Sequence, residues 1–177
     1  MSLTDNIIEV LLSAEVIRAR VAELGAQISH DYNGKNPILA CVLKGGLTFL
    51  ADLSRTIPIP HEIDFLAIGS YGPKMAKTGV VRIMMDLEGS IEDRHVLLVE
   101  DIVNTGRTLA YIVENLQTRR PASLRICTLL DKPDRHAVPI PLDYVGFTIP
   151  DRFVVGYGLD FREKYRNLPF VGVLRET

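Results

Sequence analysis

An α/β fold, with a mostly parallel sheet flanked by helices, is predicted by two features of the sequence. Short apolar runs at 37–43, 96–99 and 124–130 have the length and composition of strands buried on both faces of a parallel sheet. The first two runs pass through a short glycine-bearing loop into segments whose apolar residues recur at helical spacing, which is the order of a strand–loop–helix unit.

The elements follow in order. Residues 7–12 form an apolar stretch read as a strand. Ser13 stands where an N-cap belongs, and Ile17, Val21, Leu24 and Ile28 mark the inward face of a helix. Asn33-Gly34 ends it as a turn. The strand at 37–43 runs into Lys44-Gly45-Gly46, and a helix is predicted over 47–53. Pro58 and Pro60 precede a strand over 62–70, in which Ile63, Phe65 and Ala67 alternate. A polar segment from Ser70-Tyr71 to Gly79 follows, then a returning strand over 80–85 and a polar connection to Arg94. The run at 96–99 is the central strand. Leu109, Ile112, Val113 and Leu116 mark the next helix, and further strands are predicted over 124–130, 144–149, 153–157 and 170–174.

A chain of 177 residues, 47% apolar and 24% charged, fits one domain, 1–177, with a substantial core. The net charge of −2 supplies no bulk attraction to nucleic acid or anionic membranes, so neither is an expected partner. Cys41 and Cys127 each sit in an apolar run and are read as buried thiols. With no apolar run of membrane length and no basic-then-apolar start, a cytoplasmic setting is expected.

The chemistry concentrates after the central strand. Glu100 and Asp101 come where that strand is expected to end. Asn104, Thr105, Gly106, Arg107 and Thr108 then offer backbone N–H groups, hydroxyls and a guanidinium at the start of a helix. A helix N-terminus with a glycine that admits close approach is a phosphate cradle. Carboxylates beside a phosphate repel it, unless the ligand also brings hydroxyls or a hydrated magnesium ion that want oxygen acceptors. A sugar phosphate has both ends.

This ordered segment resembles the phosphoribosyl pyrophosphate signature of the type I phosphoribosyltransferases, and more closely that of their hypoxanthine-guanine branch. The resemblance extends over most of the chain, with motifs in the expected order. It implies a small hood, built from the N-terminal stretch and part of 131–177, over the strand ends. Its 44–46 loop matches the loop that binds pyrophosphate, often through a non-proline cis peptide after the lysine. Ser70 and Tyr71 match the start of a long loop that closes over the active site. Lys132 matches the lysine that hydrogen-bonds the 6-oxo group of a purine. Phe153 matches the residue that stacks on the base, and Val154 the one whose backbone reads its edge. Asp160 matches a residue at the purine end that also serves the pyrophosphate-side magnesium ion, Glu100 and Asp101 are the other expected metal ligands, and Arg166 matches one that holds pyrophosphate. From the residues alone, Lys44 and Lys132 also fit surface charges, Phe153 a core ring, Asp160 a turn and Arg166 a solvated cation.

The implied reaction transfers phosphoribose from phosphoribosyl pyrophosphate to N9 of hypoxanthine or guanine, with Mg2+, in a homodimer or homotetramer. A xanthine-preferring enzyme and a nucleotide-sensing regulator on the same fold are the alternatives. At one position the chain departs from the pattern. Hypoxanthine-guanine enzymes usually place an aspartate, regarded as the general base or acid, where this chain has Asn104.

Overall fold

The structure is a computed structural model that describes residues 3–70 and 81–175. In chain order the elements are β1 (Ile7–Leu12), α1 (Ala14–Asp31), β2 (Ile38–Leu43), α2 (Leu47–Arg55), β3 (Glu62–Ser70) and β4 (Val81–Met85). Then come β5 (His95–Val103), α3 (Arg107–Gln117), β6 (Ser123–Asp131), β7 (Tyr144–Thr148), β8 (Val154–Val155) and β9 (Val171–Leu174). Six strands form one sheet in the order β4-β3-β2-β5-β6-β7. Every pairing in it is parallel except that of β4 with β3. From β2 the chain builds outward to β3 on one side and then returns to place β5 on the other. The carboxyl ends of β2 and β5 therefore flank the switch point where ligands of open α/β sheets bind.

Period-two alternation sorts the buried strands between two apolar layers. Leu39, Cys41, Leu97, Val99, Cys127 and Leu129 pack with Ile17, Val21, Leu24 and Ile28 of α1 and Phe49, Leu50 and Leu53 of α2. Ala40, Val42, Val96, Leu98 and Ile126 pack instead with Leu109, Ile112 and Leu116 of α3. Ser13 caps α1 as its position predicts, accepting a hydrogen bond from the Val16 N–H at 3.4 Å. Both cysteines are free and buried. Burial pushes the Cys41 thiol up to about 12 and Cys127 higher still, so neither offers a thiolate near neutral pH.

A second sheet, β1-β9-β8, is antiparallel and joins the two ends of the chain. It shares Val154, Val171 and Val173 with the main core. No helix of the described residues is long and apolar enough to cross a membrane.

Two sequence-based expectations need correction, and β3 shows what alternation leaves open. In β3, Leu66 is fully buried while Ile63 is 46% exposed; both faces of that strand carry apolar residues, so alternation alone does not say which is covered. The strand expected over 153–157 shortens to Val154–Val155, because Gly156, Tyr157 and Gly158 all adopt positive φ. The central strand does not stop before the acids. β5 runs on to Val103, held by pairing with β6 through Val103 opposite Asp131.

Candidate active site

The acid pair lies within the last residues of β5. Asp101 is buried at 8% exposure, and Glu100 is half-buried. Asp101 packs so closely on Gly45 that a Cβ there would lie 1.7 Å from Asp101 Oδ2. Gly45 is thus required by the neighbouring strand end as well as by its own loop. Desolvation, then the adjacent Asp101, raises the Glu100 carboxyl well above the ordinary range. Asp101 is also raised by burial; its hydrogen bonds with Glu100 and the Ile102 N–H, and the Arg166 charge, work against that shift. Two carboxylates held this way want a cation or hydroxyl donors.

Beyond Val103 the chain turns through Asn104 and Thr105 to Gly106, which caps α3 with φ 74°. Only a residue at ease in the left-handed region fits there without strain; it is the backbone angle and not crowding that calls for glycine, since a Cβ would meet Val138 at an ordinary 3.4 Å. A cavity of about 200 Å³ is lined by Glu100, Asp101, Asn104, Thr105, Gly106 and Thr108. The structure thus brings the predicted acids and cradle together. Arg107 is exposed and lies outside the lining. The Ala137 N–H donates to the Thr105 carbonyl at 2.9 Å, and the Lys132 N–H to that of Val103 at 3.0 Å, which fastens the segment after β6 to the cradle.

On the other flank, the peptide bond between Leu43 and Lys44 is cis. It precedes the lysine rather than following it, a correction to the position expected from the sequence. Lys44 Nζ meets Glu163 at 2.9 Å, with both side chains exposed. Arg166 donates from Nη1 to the Gly158 carbonyl at 2.8 Å and pairs through Nη2 with Asp160 at 2.8 Å. Gly158 in turn packs on Gly45: a Cβ at Gly158 would lie 2.1 Å from the Gly45 carbonyl oxygen. Lys44, Gly45, Asp160 and Arg166 therefore converge. Asp160 has one oxygen on Arg166 and the other on the Glu163 N–H, and it does not join Glu100 and Asp101 as a metal cage. Among the described residues no group of three or more His, Cys, Asp or Glu side chains is placed to hold a metal ion.

Lys132 is 6% exposed. Its Nζ donates to the Arg152 carbonyl at 2.6 Å and faces Asp151 at 3.7 Å. Burial draws its ammonium below the ordinary lysine range, while Asp151 pulls the other way. Phe153 is not core: it is 48% exposed and stands edge-on to Phe161, with centroids 5.7 Å apart and planes at 84°. Val154 beside it is buried. Ser70 ends β3, and Tyr71 lies outside the described residues.

Sequence reasoning missed three contacts around these groups. Asp131 holds His136 Nε2 at 2.8 Å, Glu9 of β1 pairs with Arg152 at 2.5 Å, and Tyr157 bonds Asp52. Only Asp131 carried a local signal, as a polar residue closing a buried strand immediately before Lys132.

Comparison with known proteins agrees with this geometry. A family model described as a phosphoribosyl transferase domain matches residues 9–162. The chain is 50% identical over 175 residues to the hypoxanthine-guanine phosphoribosyltransferase of Mycobacterium bovis, covering 96% of this chain and 87% of that protein. It is 48% identical to the hypoxanthine phosphoribosyltransferase of Salmonella typhimurium, covering 93% and 94% of the two chains. A crystal structure of the Staphylococcus aureus hypoxanthine phosphoribosyltransferase superposes with a TM-score of 0.93 at 48% identity, covering 98% of this chain and 94% of that one. With an acid pair, a donor loop and a helix N-terminus gathered at the switch point of a mostly parallel sheet, the chain belongs to the phosphoribosyltransferase family, in its hypoxanthine-guanine branch.

Proposed function

We propose that the protein transfers phosphoribose from phosphoribosyl pyrophosphate to N9 of hypoxanthine or guanine, releasing pyrophosphate, as a step of purine salvage. The observation that carries this reading is Lys132. It is a buried ammonium at the end of β6, hydrogen-bonded to the loop that bears Phe153 and one strand away from the phosphate cradle. A lysine supplies donors only, so it suits a 6-oxo group and finds no acceptor in a 6-amino group.

In this reading the cradle takes the 5′-phosphate and the acid pair takes the ribose hydroxyls. The C1′–O bond to pyrophosphate breaks while the C1′–N9 bond forms, and positive charge builds on the ribose. Lys44 and Arg166 receive the pyrophosphate, the exposed Phe153 face stacks on the base, and Val154 presents backbone to its edge. Magnesium is usually bound by one or two carboxylates completed by substrate oxygens rather than by an all-protein cage. Glu100 and Asp101 fit that pattern and Asp160 would serve from the pyrophosphate side; the bound ion would neutralise charge on the leaving group. The small β1-β9-β8 sheet acts as the hood, and Ser70 and Tyr71 begin the loop that closes over the site. A cytoplasmic homodimer or homotetramer completes the proposal, and light scattering reads the assembly.

The test is pyrophosphate release with hypoxanthine, guanine, xanthine or adenine, supplied with phosphoribosyl pyrophosphate and magnesium. Turnover with the first two and none with adenine is expected; adenine turnover overturns the assignment. Lys132→Ala should raise KM for the base about 10- to 100-fold, the worth of a hydrogen bond from a charged donor. KM for phosphoribosyl pyrophosphate should hardly move. Unchanged base affinity would remove Lys132 from the site.

A further inference from the structure

Apart from the cradle, a cavity of about 550 Å³ opens between α1, α2 and the chain near Asn167, and its walls include Asp52 and Tyr157. These two side chains meet: Tyr157 Oη donates to Asp52 Oδ2 at 2.6 Å, across 105 residues of sequence. Burial, with the facing carboxylate, pushes the Tyr157 hydroxyl far above the ordinary tyrosine range, so it remains a donor. Tyr157 is 6% exposed and has φ 49°, between Gly156 and Gly158 at 96° and 101°. A bulky residue in that region persists only where its surroundings hold it.

What this turn touches gives the contact a role. The Gly158 N–H donates to the Arg166 carbonyl at 2.9 Å, and Arg166 Nη1 returns a bond to the Gly158 carbonyl at 2.8 Å. Gly158 also packs against the Gly45 carbonyl and close to Thr48 of α2. Since α2 starts directly after the 44–46 loop, Asp52 ties the turn that is hydrogen-bonded to Arg166 to the helix that follows Gly45. We propose that Asp52 and Tyr157 are positioning residues that fix the spacing between the 44–46 loop and Arg166, and so set how tightly pyrophosphate is held. This rests on the proposed reaction.

The experiment measures inhibition by pyrophosphate. Tyr157→Phe and Asp52→Ala should each weaken pyrophosphate about 5- to 20-fold, a part of the worth of one hydrogen bond to a charged group, since the lost bond acts on the ligand only through the loop spacing. KM for the base and inhibition by the nucleotide product should stay at wild-type values. The double variant should be no weaker than either single one, because both remove the same bond. Asp52→Asn keeps an acceptor oxygen and should retain most of the affinity. Unchanged pyrophosphate inhibition, additive losses, or an equal loss for base and product would each overturn the proposal. Should the wild type release no pyrophosphate at all, the reaction assignment fails; calorimetric binding of pyrophosphate to wild type and Tyr157→Phe then still reads the brace.

Discussion

Converting both acids of β5 to their amides, Glu100→Gln with Asp101→Asn, should give a protein that melts higher at neutral pH and has lost nearly all activity. The two effects have one cause. Burial raises both carboxyls in the folded protein, and the neighbouring Asp101 raises Glu100 further, so the folded state binds their protons more tightly than the unfolded chain does. The pair's contribution to stability is therefore fully present below the ordinary carboxylate range, about pH 4, and is lost as pH rises toward the folded values. Amides of the same shape carry no charge to desolvate. A gain of about 2–8 °C in Tm at pH 8, corresponding to about 1–2 kcal/mol, is expected, with little gain at pH 4. Substrate binding should move the other way. Two charged hydrogen-bond acceptors, each worth about 1.5–3 kcal/mol, account for a loss of about 10²–10⁴-fold in kcat/KM for phosphoribosyl pyrophosphate. Melting curves of the ligand-free proteins at pH 4 and pH 8 make the comparison. A variant equally stabilised at both values, or one that keeps its activity, contradicts the placement of the pair.

Such an outcome could not be read from the sequence, where Glu100 and Asp101 look like a solvent-facing strand end. Carboxylates are poor strand formers, and nothing local shows that β6 continues to pair beside them until Val103 meets Asp131. What the sequence shows best is set by short-range pattern. The cap at Ser13, the buried stripe of α1, the apolar strands of the parallel sheet and the donor loop before α3 are each set by neighbours within a few residues. Contacts between distant segments left no such trace. Glu9 with Arg152 and Asp52 with Tyr157 are made by residues that look like ordinary surface polars until the fold brings them together. Phe153 shows the limit from another side. An aromatic in a short apolar run reads equally as core or platform, and only its 48% exposure separates the two.

Asn104 is where the pattern and the chain part company, and Asn104→Asp should raise kcat. The residue is exposed at the first position after β5 and lines the cradle. Its predecessor Val103 accepts a hydrogen bond from the Lys132 N–H, so in the proposed reaction position 104 would border both the phosphate and the base. Forming the C1′–N9 bond requires the base to lose a proton. An amide accepts a hydrogen bond from that N–H but cannot take the proton up. General acid–base help is worth about 10²–10⁴-fold, so a carboxylate placed there should raise kcat by about 10-fold or more unless product release already limits turnover. KM for phosphoribosyl pyrophosphate should change little, although a second negative group beside a phosphate should cost the nucleotide product a modest part of its affinity. The pH dependence separates the explanations. A base acts only when ionised, so the aspartate variant should show an acidic limb, activity falling as pH drops toward the ordinary carboxylate range near 4. The parent protein should lack that limb. If kcat stays flat while the limb appears, the carboxylate is working and a later step is slow. If both proteins give identical profiles, the proton leaves the base by a route that does not pass through position 104.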